Sequence, residues 1–567
     1  MRLTDKIKLT FSDSLIGVKT GIQSGTTPFR KSCAVLFSAF FILISCKDPV
    51  IPTIQVVKND ETYAPEKVKA VMDEWQRKNF NYFVAGASPT GMAPEGNDRG
   101  DVVTTGGSGF GVMAIIVGTE RGWITRDQST TQMQKIVRFL GKAERFKGAW
   151  SHWYNPDGTS HPFGDQVKTG DLIETAFMMA GLLAANEYYS GTTAVEKEIR
   201  DSVASFWKTV NWRFYTGNGN ALNWLYYSQE NRLTMQIKGW NEGLISYILA
   251  LGAPEPLNIS YDVYNNGWLS GGGILNRTGK FYGYDLPLGE SYGGPMFFAH
   301  YSFLGLNPGL MEDNLANYWQ QNVAHTMINR HYCVYEAPKN YKYSERDWGL
   351  TACYGGRPPW DYSARSPLND DGVLAPTAAL GSYPYTPFYS TQVLMHLAEY
   401  SLAQGTYGFA DAYSPETSTS EKKHLAIDQG PIVVMMENYR SGLIWNLLMK
   451  NADIQKGLRL AGMKIKPDYK EGFHKSMINT YTKEYDMMRH PDRGSFELNY
   501  FLSSSGNTRF IFKNAADSLI KDTTTNALQG ENVLQFKNTT SILNGKQYTI
   551  TMITPAKKEY SIVVRLR

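Results

Sequence analysis

The sequence predicts an all-α catalytic domain built as an α/α barrel and followed by a small all-β domain. Helix-period apolar segments recur roughly a dozen times between about residue 66 and residue 464, with no strong strand pattern between them. Long loops rich in Gly, Tyr, Trp and Asn separate these segments, and loops of that length inside a domain are usually functional. From Ser495 onward the pattern changes to strict apolar/polar alternation, the signature of short strands.

The first 46 residues read as a targeting segment. Arg30-Lys31 precede an apolar run, Ala34 to Ile44, that is short for a membrane span and suited to a signal-peptide core. It ends in Leu43-Ile44-Ser45-Cys46, which resembles a bacterial lipobox with Cys46 as the lipidated N-terminus of the mature chain; the alternative is a buried apolar helix with a chance cysteine. Lys47-Asp48 resembles the surface-export signals of Bacteroidetes lipoproteins. The expected location is therefore the cell envelope, lipid-anchored on the periplasmic side or the outer-membrane surface. Residues 47–65, with several prolines, form a tether.

Helices are expected over Val68 to Phe83, where Val68, Val71, Met72, Trp75, Phe80 and Phe83 share a face, and over Phe110 to Val117. Others are expected near Gln132–Lys142, Leu172–Tyr189, Ala194–Val210, Leu244–Leu251, Leu315–Arg330, Ser390–Leu402 and Ile432–Lys450. Pro431 has the fixed φ and missing N–H of a first helical residue, which would place Asp428 in the loop just ahead of a buried helix. Residues 66–464 form the barrel and 465–494 a linker. Residues 495–567 form an Ig-like β-sandwich, with strands around Phe496–Phe501, Arg509–Phe512, Asn532–Phe536, Gln547–Met552 and Tyr560–Val564 and a turn at Asn544-Gly545. That module reads as a spacer or stabiliser, or as a carbohydrate-binding or sorting domain.

The totals narrow the function. A chain of 567 residues with 42% hydrophobic and 19% charged residues is globular, and 13% aromatic residues placed beside Gly, Asn and Asp suit a sugar-binding cleft. The net charge of +4 resides entirely in the first 45 residues, so no basic footprint for nucleic acid remains. With Cys33 and Cys46 in the leader, Cys333 and Cys353 can form at most one bridge. There is no HExxH, EF-hand loop, zinc cluster, GxSxG or phosphate-binding loop, so no metal or cofactor is expected, and no obligatory protein partner is evident.

Acids gather at predicted helix starts. Asp171 and Glu174 lie three apart and can face one cleft, although acids in a first turn are also favoured by the helix dipole alone. Asn241 reads as an N-cap that sets Glu242 at the mouth of a helix after Trp240. Such a position lowers a carboxyl's proton affinity, so for Glu242 to act as an acid, apolar surroundings or a second carboxylate must raise it again. Asp428 reads as a base or sugar-hydroxyl acceptor kept ionised by a helix N-terminus, or as a plain helix cap. One acid and one base are what glycoside hydrolysis needs. Trp240, Asn241, His300, Tyr301, Trp348 and Tyr385 are candidate sugar contacts, Arg121 and Arg440 structural ion-pair partners, and Met435-Met436 core.

The runs Gly106-Gly107-Ser108-Gly109-Phe110-Gly111, Glu120-Arg121-Gly122-Trp123, Gly239-Trp240-Asn241-Glu242, Gly293-Gly294-Pro295-Met296 through Ser302, Trp348-Gly349-Leu350-Thr351-Ala352, Ala375-Pro376-Thr377, Tyr407-Gly408-Phe409-Ala410-Asp411-Ala412 and Ile427-Asp428-Gln429-Gly430-Pro431 resemble the glycoamylase-like domain. Within it the sequence is most similar to glycoside hydrolase family 144, the bacterial β-1,2-glucanases. The resemblance implies an (α/α)6 barrel and inverting hydrolysis of β-1,2-glucan or its oligosaccharides, with Glu242 as general acid, Asp428 as base, and Asp171 and Glu174 lining the cleft. Two departures bear on specificity: Val167-Lys168 stand where the family usually has two adjacent Asp, and Cys353-Tyr354 where Ser-Asp is common. The alternatives are an exo-acting enzyme that releases a disaccharide, a glycosyltransferase on the same barrel, and a non-catalytic glycan-binding lipoprotein.

Overall fold

The computed structural model describes residues 63, 65–98, 100–163, 167–355 and 361–465, with 472–473, 486–487, 496–502, 504, 506–527, 530–536 and 547–566. The leader with Cys46, most of the tether and linker, and Asn544-Gly545 lie outside the described residues.

Thirteen α-helices occur among the described residues: α1 (Pro65–Phe80), α2 (Thr105–Glu120), α3 (Arg126–Lys142), α4 (Leu172–Tyr188), α5 (Ala194–Trp207), α6 (Leu244–Gly252), α7 (Tyr261–Asn266), α8 (Tyr318–His331), α9 (Pro376–Leu380), α10 (Pro387–Leu397), α11 (Ala426–Ser441), α12 (Leu443–Met449) and α13 (Ala452–Leu460). They sort into an inner and an outer set by where their apolar residues lie. α2 and α4 are buried on nearly every side, as an inner helix must be, whereas α3 buries a single stripe through Met133, Ile136, Val137 and Leu140. α3 is entered through a capping box, with Thr125 Oγ1 accepting from Gln128 N while Gln128 Oε1 accepts from Thr125 N.

The inner ring runs α2, α4, α6, the 3₁₀ turns Met296–Ala299 and Ser302–Leu304, α9 and α11, and closes where α11 packs on α2. Tyr385 OH donates to Ala299 O at 3.0 Å, and His300 Nε2 lies 2.8 Å from Ser382 Oγ, which ties the 3₁₀ turns to the chain leaving α9. α1, α3, α5, α8, α10 and α13 pack outside, so the arrangement is an α/α barrel. The tightest seam is between α2 and α4. A Cβ on Gly109 would lie 2.5 Å from Phe177 O, and one on Gly181 would lie 2.3 Å from Gly109 O, so only glycine permits this approach.

Several boundaries differ from expectation. α11 begins at Ala426, five residues before Pro431, and the proline sits inside the helix. Asp428 is therefore in the first turn rather than in a preceding loop. The run expected to continue to Lys450 breaks at Gly442, whose φ of 68° ends α11 and starts α12. α7, α9 and α13 are not among the expected segments; α7 and α9 span only six and five residues, too short to show a helical period. The loops ahead of the inner helices carry short strands, such as Thr169–Asp171 paired with Asn223–Tyr227, which leads directly into α4.

Beyond α13, Lys464–Ile465 pair with Met311–Glu312. The C-terminal region holds a five-stranded sheet ordered Asp486–Met487, Glu559–Leu566, Gln547–Ile553, Gly506–Asn514, Leu519–Ala527, and a three-stranded sheet of Gly472–Phe473, Phe496–Leu502 and Gly530–Phe536. Phe510, Phe512, Ile550 and Met552 are buried at alternating positions, as the sequence alternation requires. The Tyr500 and Phe510 rings, one from each sheet, meet at 5.0 Å.

Candidate active site

The carboxylates singled out from sequence gather at the N-terminal ends of the inner helices. Asp171 ends the strand Thr169–Asp171 and caps α4: its Oδ1 accepts from Glu174 N at 3.0 Å. Its Oδ2 lies 2.8 Å from His152 Nδ1, and the His152 ring stacks on Phe163 at 4.1 Å. Glu174 reaches across the seam to α2, where its Oε2 accepts from Gly106 N at 2.6 Å. A Cβ on Gly106 would sit 2.6 Å from that oxygen, so the glycine makes room for the carboxyl. Burial disfavours the His152 imidazolium, but Glu174, Asp171 and Glu95 outweigh it and hold His152 up at about 9. Burial lifts Glu174 to about 7 against the opposing pull of His152.

Glu242 stands immediately before α6. Asn241 does not cap that helix, for which Gly243 is the N-cap; instead Asn241 Oδ1 accepts from Gly243 N at 2.8 Å in a tight turn. Ser302 fixes the backbone from across the ring: its hydroxyl donates to Glu242 O and accepts from Ile245 N at 3.0 Å. Trp240 packs against Trp268, Phe303 and Tyr318 and forms the apolar backing of this corner. The Glu242 side chain is buried, and among the described residues no cation lies beside it. Burial, with a smaller push from Asp171, raises its carboxyl to about 7.

Asp428 lies in the first turn of α11, with Thr377 Oγ1 of α9 donating to its carbonyl at 3.0 Å. It is 1% exposed, and among the described residues no N–H or hydroxyl donates to either carboxyl oxygen. Its near neighbour is a second buried carboxyl, Asp411, and this contact becomes a hydrogen bond only when one of the two is protonated. Burial, then Asp411 and Glu95, push the Asp428 carboxyl well above the usual carboxylate range. The helix dipole expected to keep Asp428 ionised is thus outweighed.

Tyr301 joins the group: half-buried, it stacks on Phe297 at 5.2 Å and lies within the fields of Asp428, Glu242 and Glu174. His300, Trp348 and Tyr385 do not. His300 is buried against Ser382, Trp348 is 1% exposed in the packing between α1, α10 and α11, and the Tyr385 hydroxyl lies between Asn322 Nδ2 and Ala299 O. All three hold the barrel wall. Glu95, His152, Asp411 and Tyr362 belong to the site and were not singled out as site residues. Asp411 has a signal, since it lies in the Tyr407 to Ala412 run; the others sit in loops that carry no pattern. Val167 is exposed, and Lys168, with a φ of 58°, places Nζ 3.7 Å from Glu144. Cys353 and Cys333 are buried free thiols. Arg121 pairs with Glu437 at 2.7 and 2.8 Å and Arg440 pairs with Asp73, in the structural roles expected of them.

Comparison with known proteins places this geometry. The Glycoamylase family model, described as "Putative glucoamylase", matches residues 234–452. An exo β-1,2-glucooligosaccharide sophorohydrolase (non-reducing end) from Parabacteroides distasonis is 38% identical over 428 residues, which is 70% of this chain and 58% of the relative. This chain thus spans little more than half of that enzyme's length. The endo-β-1,2-glucanase from Chitinophaga pinensis, solved with sophorotriose and glucose, is 42% identical with a TM-score of 0.66, over 70% of this chain and 98% of the relative. A β-1,2-glucanase structure from Parabacteroides distasonis matches at 37% identity and a TM-score of 0.66, over 70% of this chain and 60% of the other.

Proposed function

The chain belongs to the glycoamylase-like family of bacterial β-1,2-glucanases (glycoside hydrolase family 144), and from that premise we propose that it hydrolyses β-1,2-linked glucose chains with inversion at the anomeric carbon. The observation that carries the reading is Glu242. Buried in an apolar corner at the ring's mouth and raised to about 7, it keeps a proton to give near neutral pH. In the proposed step the bond from the anomeric carbon to the bridging oxygen breaks and that oxygen takes the Glu242 proton. Water adds to the anomeric carbon from the other face and loses its proton to Asp428, directly or through a sugar hydroxyl. Asp171 and Glu174, fixed by His152 and Gly106, would bind sugar hydroxyls, and Tyr301 would offer its hydroxyl, which has no partner among the described residues.

The test is to incubate the protein with β-1,2-glucan, sophoro-oligosaccharides and a panel of other α- and β-glucans and to separate the products. Products from β-1,2 chains alone, lost in Glu242→Gln, would support the reading. Silence on β-1,2 chains with cleavage of another glucan would mean that Val167-Lys168 and Cys353-Tyr354 have redirected the site. Disaccharide-only release would mark exo action, longer products endo action, and products longer than the substrate transfer. Saturable binding without turnover would leave a glycan-binding protein.

We further propose that residues 66–464 are the catalytic barrel and 495–567 an Ig-like accessory sandwich, a reading supported by the two sheets and their Tyr500–Phe510 contact. The Leu43 to Cys46 run supports anchoring to the cell envelope by lipid on Cys46. Detergent-phase partitioning of the expressed protein, abolished in Cys46→Ser, would check it.

A further inference from the structure

We propose that Asp411 is a positioning residue for the base: it and Asp428 hold one proton between two buried carboxyls, and the charge on Asp411 sets the pH at which Asp428 is free to accept a proton. This rests on Asp428 being the base, as read above.

The geometry is built for such a pair. Asp411 is 1% exposed and, among the described residues, anchored by one oxygen: Tyr354 N donates to Oδ2 at 2.8 Å, while Oδ1 has no donor there. Its segment is tied to the helix that carries Asp428, because Gln429 Nε2 donates to Phe409 O at 2.9 Å, and Asp411 N donates to Lys423 O at 2.9 Å. The strap that supplies Tyr354 N–H is clamped by Arg365, 2% exposed, whose guanidinium donates to Cys353 O at 2.6 Å and pairs with Asp371 at 2.6 Å. Two carboxyls held this way cannot both ionise without direct repulsion, and with no other donor to either facing oxygen among the described residues, a shared proton is the hydrogen bond open to them there.

Among the described residues Asp428 is faced by Asp411, Glu95, Tyr301, Tyr362, Tyr82 and Cys353, none of them a cation. Asp411 differs in that Arg365 and the Tyr354 amide favour its charge, although burial, with Glu421, still raises it to about 6. The proton therefore rests on Asp428 and the negative charge on Asp411. Once the pair has lost that proton, Asp428 is a stronger base than a lone aspartate, because taking a proton from water relieves the repulsion.

The experiment is the pH dependence of kcat/KM for hydrolysis of a sophoro-oligosaccharide by wild type, Asp411→Asn and Asp411→Glu. Asn keeps the acceptor for Tyr354 N–H and removes the charge, so the acid limb is expected to move to lower pH by about one unit or more, while Asp411→Glu keeps it within a few tenths of a unit. The melting temperature of Asp411→Asn at pH 8 is expected to equal or exceed that of wild type. An even loss of activity at every pH with the acid limb unmoved would overturn the proposal, as would an upward move. Asp411→Ser serves if the Asn variant does not fold, and failure of both neutral variants where Asp411→Glu folds would make Asp411 structural and refute it. Should wild type cleave a different glucan, the substrate reading fails, and the same comparison on that glucan still tests Asp411.

Discussion

Replacing Glu242 by Gln removes the proton that the leaving group needs and also the penalty of ionising a buried carboxyl. Burial and Asp171 raise Glu242 to about 7, from an ordinary glutamate near about 4.3 in an unfolded chain. A folded state that holds a proton more tightly than the unfolded one gains stability in full below the unfolded value, and that share is lost as pH rises through the folded value. The interval corresponds to about 4 kcal/mol, lost between about pH 4.5 and about pH 7. Wild type should therefore fall in melting temperature across that window by more than Glu242→Gln does. The two should be alike at pH 4.5, and the variant more stable at pH 8 by up to about 4 kcal/mol. Glu174, Asp411 and Asp428 titrate in both proteins, so the difference between the two isolates Glu242. Hydrolysis should drop about 10²–10⁴-fold, the usual worth of a general acid. Scanning calorimetry at both pH values and product analysis on the same preparations read both effects. A variant destabilised equally at both pH values, or one that keeps its activity, would refute the assignment of a buried, protonated Glu242.

Gly109→Ala would drive a methyl into the Phe177 carbonyl and Met178 Cα, backbone atoms that cannot step aside; a loss of about 1–3 kcal/mol is expected in thermal unfolding. Because α2 also brings Gly106 N–H to Glu174, activity should fall with it. Arg121→Ala leaves Glu437, whose side chain is 3% exposed, without its charge partner and should cost about 3 kcal/mol. Arg121 and Glu437 lie toward the C-terminal ends of α2 and α11, away from the site, so hydrolysis per folded molecule should stay unchanged; a selective loss of activity would contradict this placement. Cys333 and Cys353 are buried with thiols pushed far above their usual range, so a thiol reagent should label neither natively and both in denaturant.

The barrel was legible where burial imposes a period. α3 shows a single stripe, α2 and α4 are apolar all round, and the alternation after Ser495 became two sheets. α9 was not legible, since five residues complete barely more than one turn, and the start of α11 was misplaced because a proline is tolerated there inside a buried helix. Among site residues, Asp171, Glu174, Glu242, Asp428 and Tyr301 come together, whereas His300, Trp348 and Tyr385 are spent on packing. An aromatic or imidazole in a Gly-rich loop looks the same in sequence whether it faces a cleft or a wall. What decides is a partner far along the chain, such as Ser382 for His300 or Asn322 for Tyr385.

Protonation state was the least legible property, for a reason of magnitude. A helix N-terminus favours a carboxylate by about 0.3–1 kcal/mol, and local sequence shows that term alone. Full burial opposes the charge by several units, each about 1.4 kcal/mol, and burial is a property of the assembled ring. Asp428 and Glu242 both stand at inner-helix starts, and both are raised. Asp171, at the same kind of position, lies 2.8 Å from His152. The division of labour between acid and base must then come from neighbours rather than from helix position. Among the described residues Glu242 has no cation to draw its proton away, and it remains an acid until about pH 7. Asp428 faces Asp411, whose own charge is favoured by Arg365 and the Tyr354 amide, and is made basic by it. On this account the alkaline limb of a bell-shaped pH profile belongs to Glu242 alone, and the acid limb to the Asp411–Asp428 pair as one titrating unit.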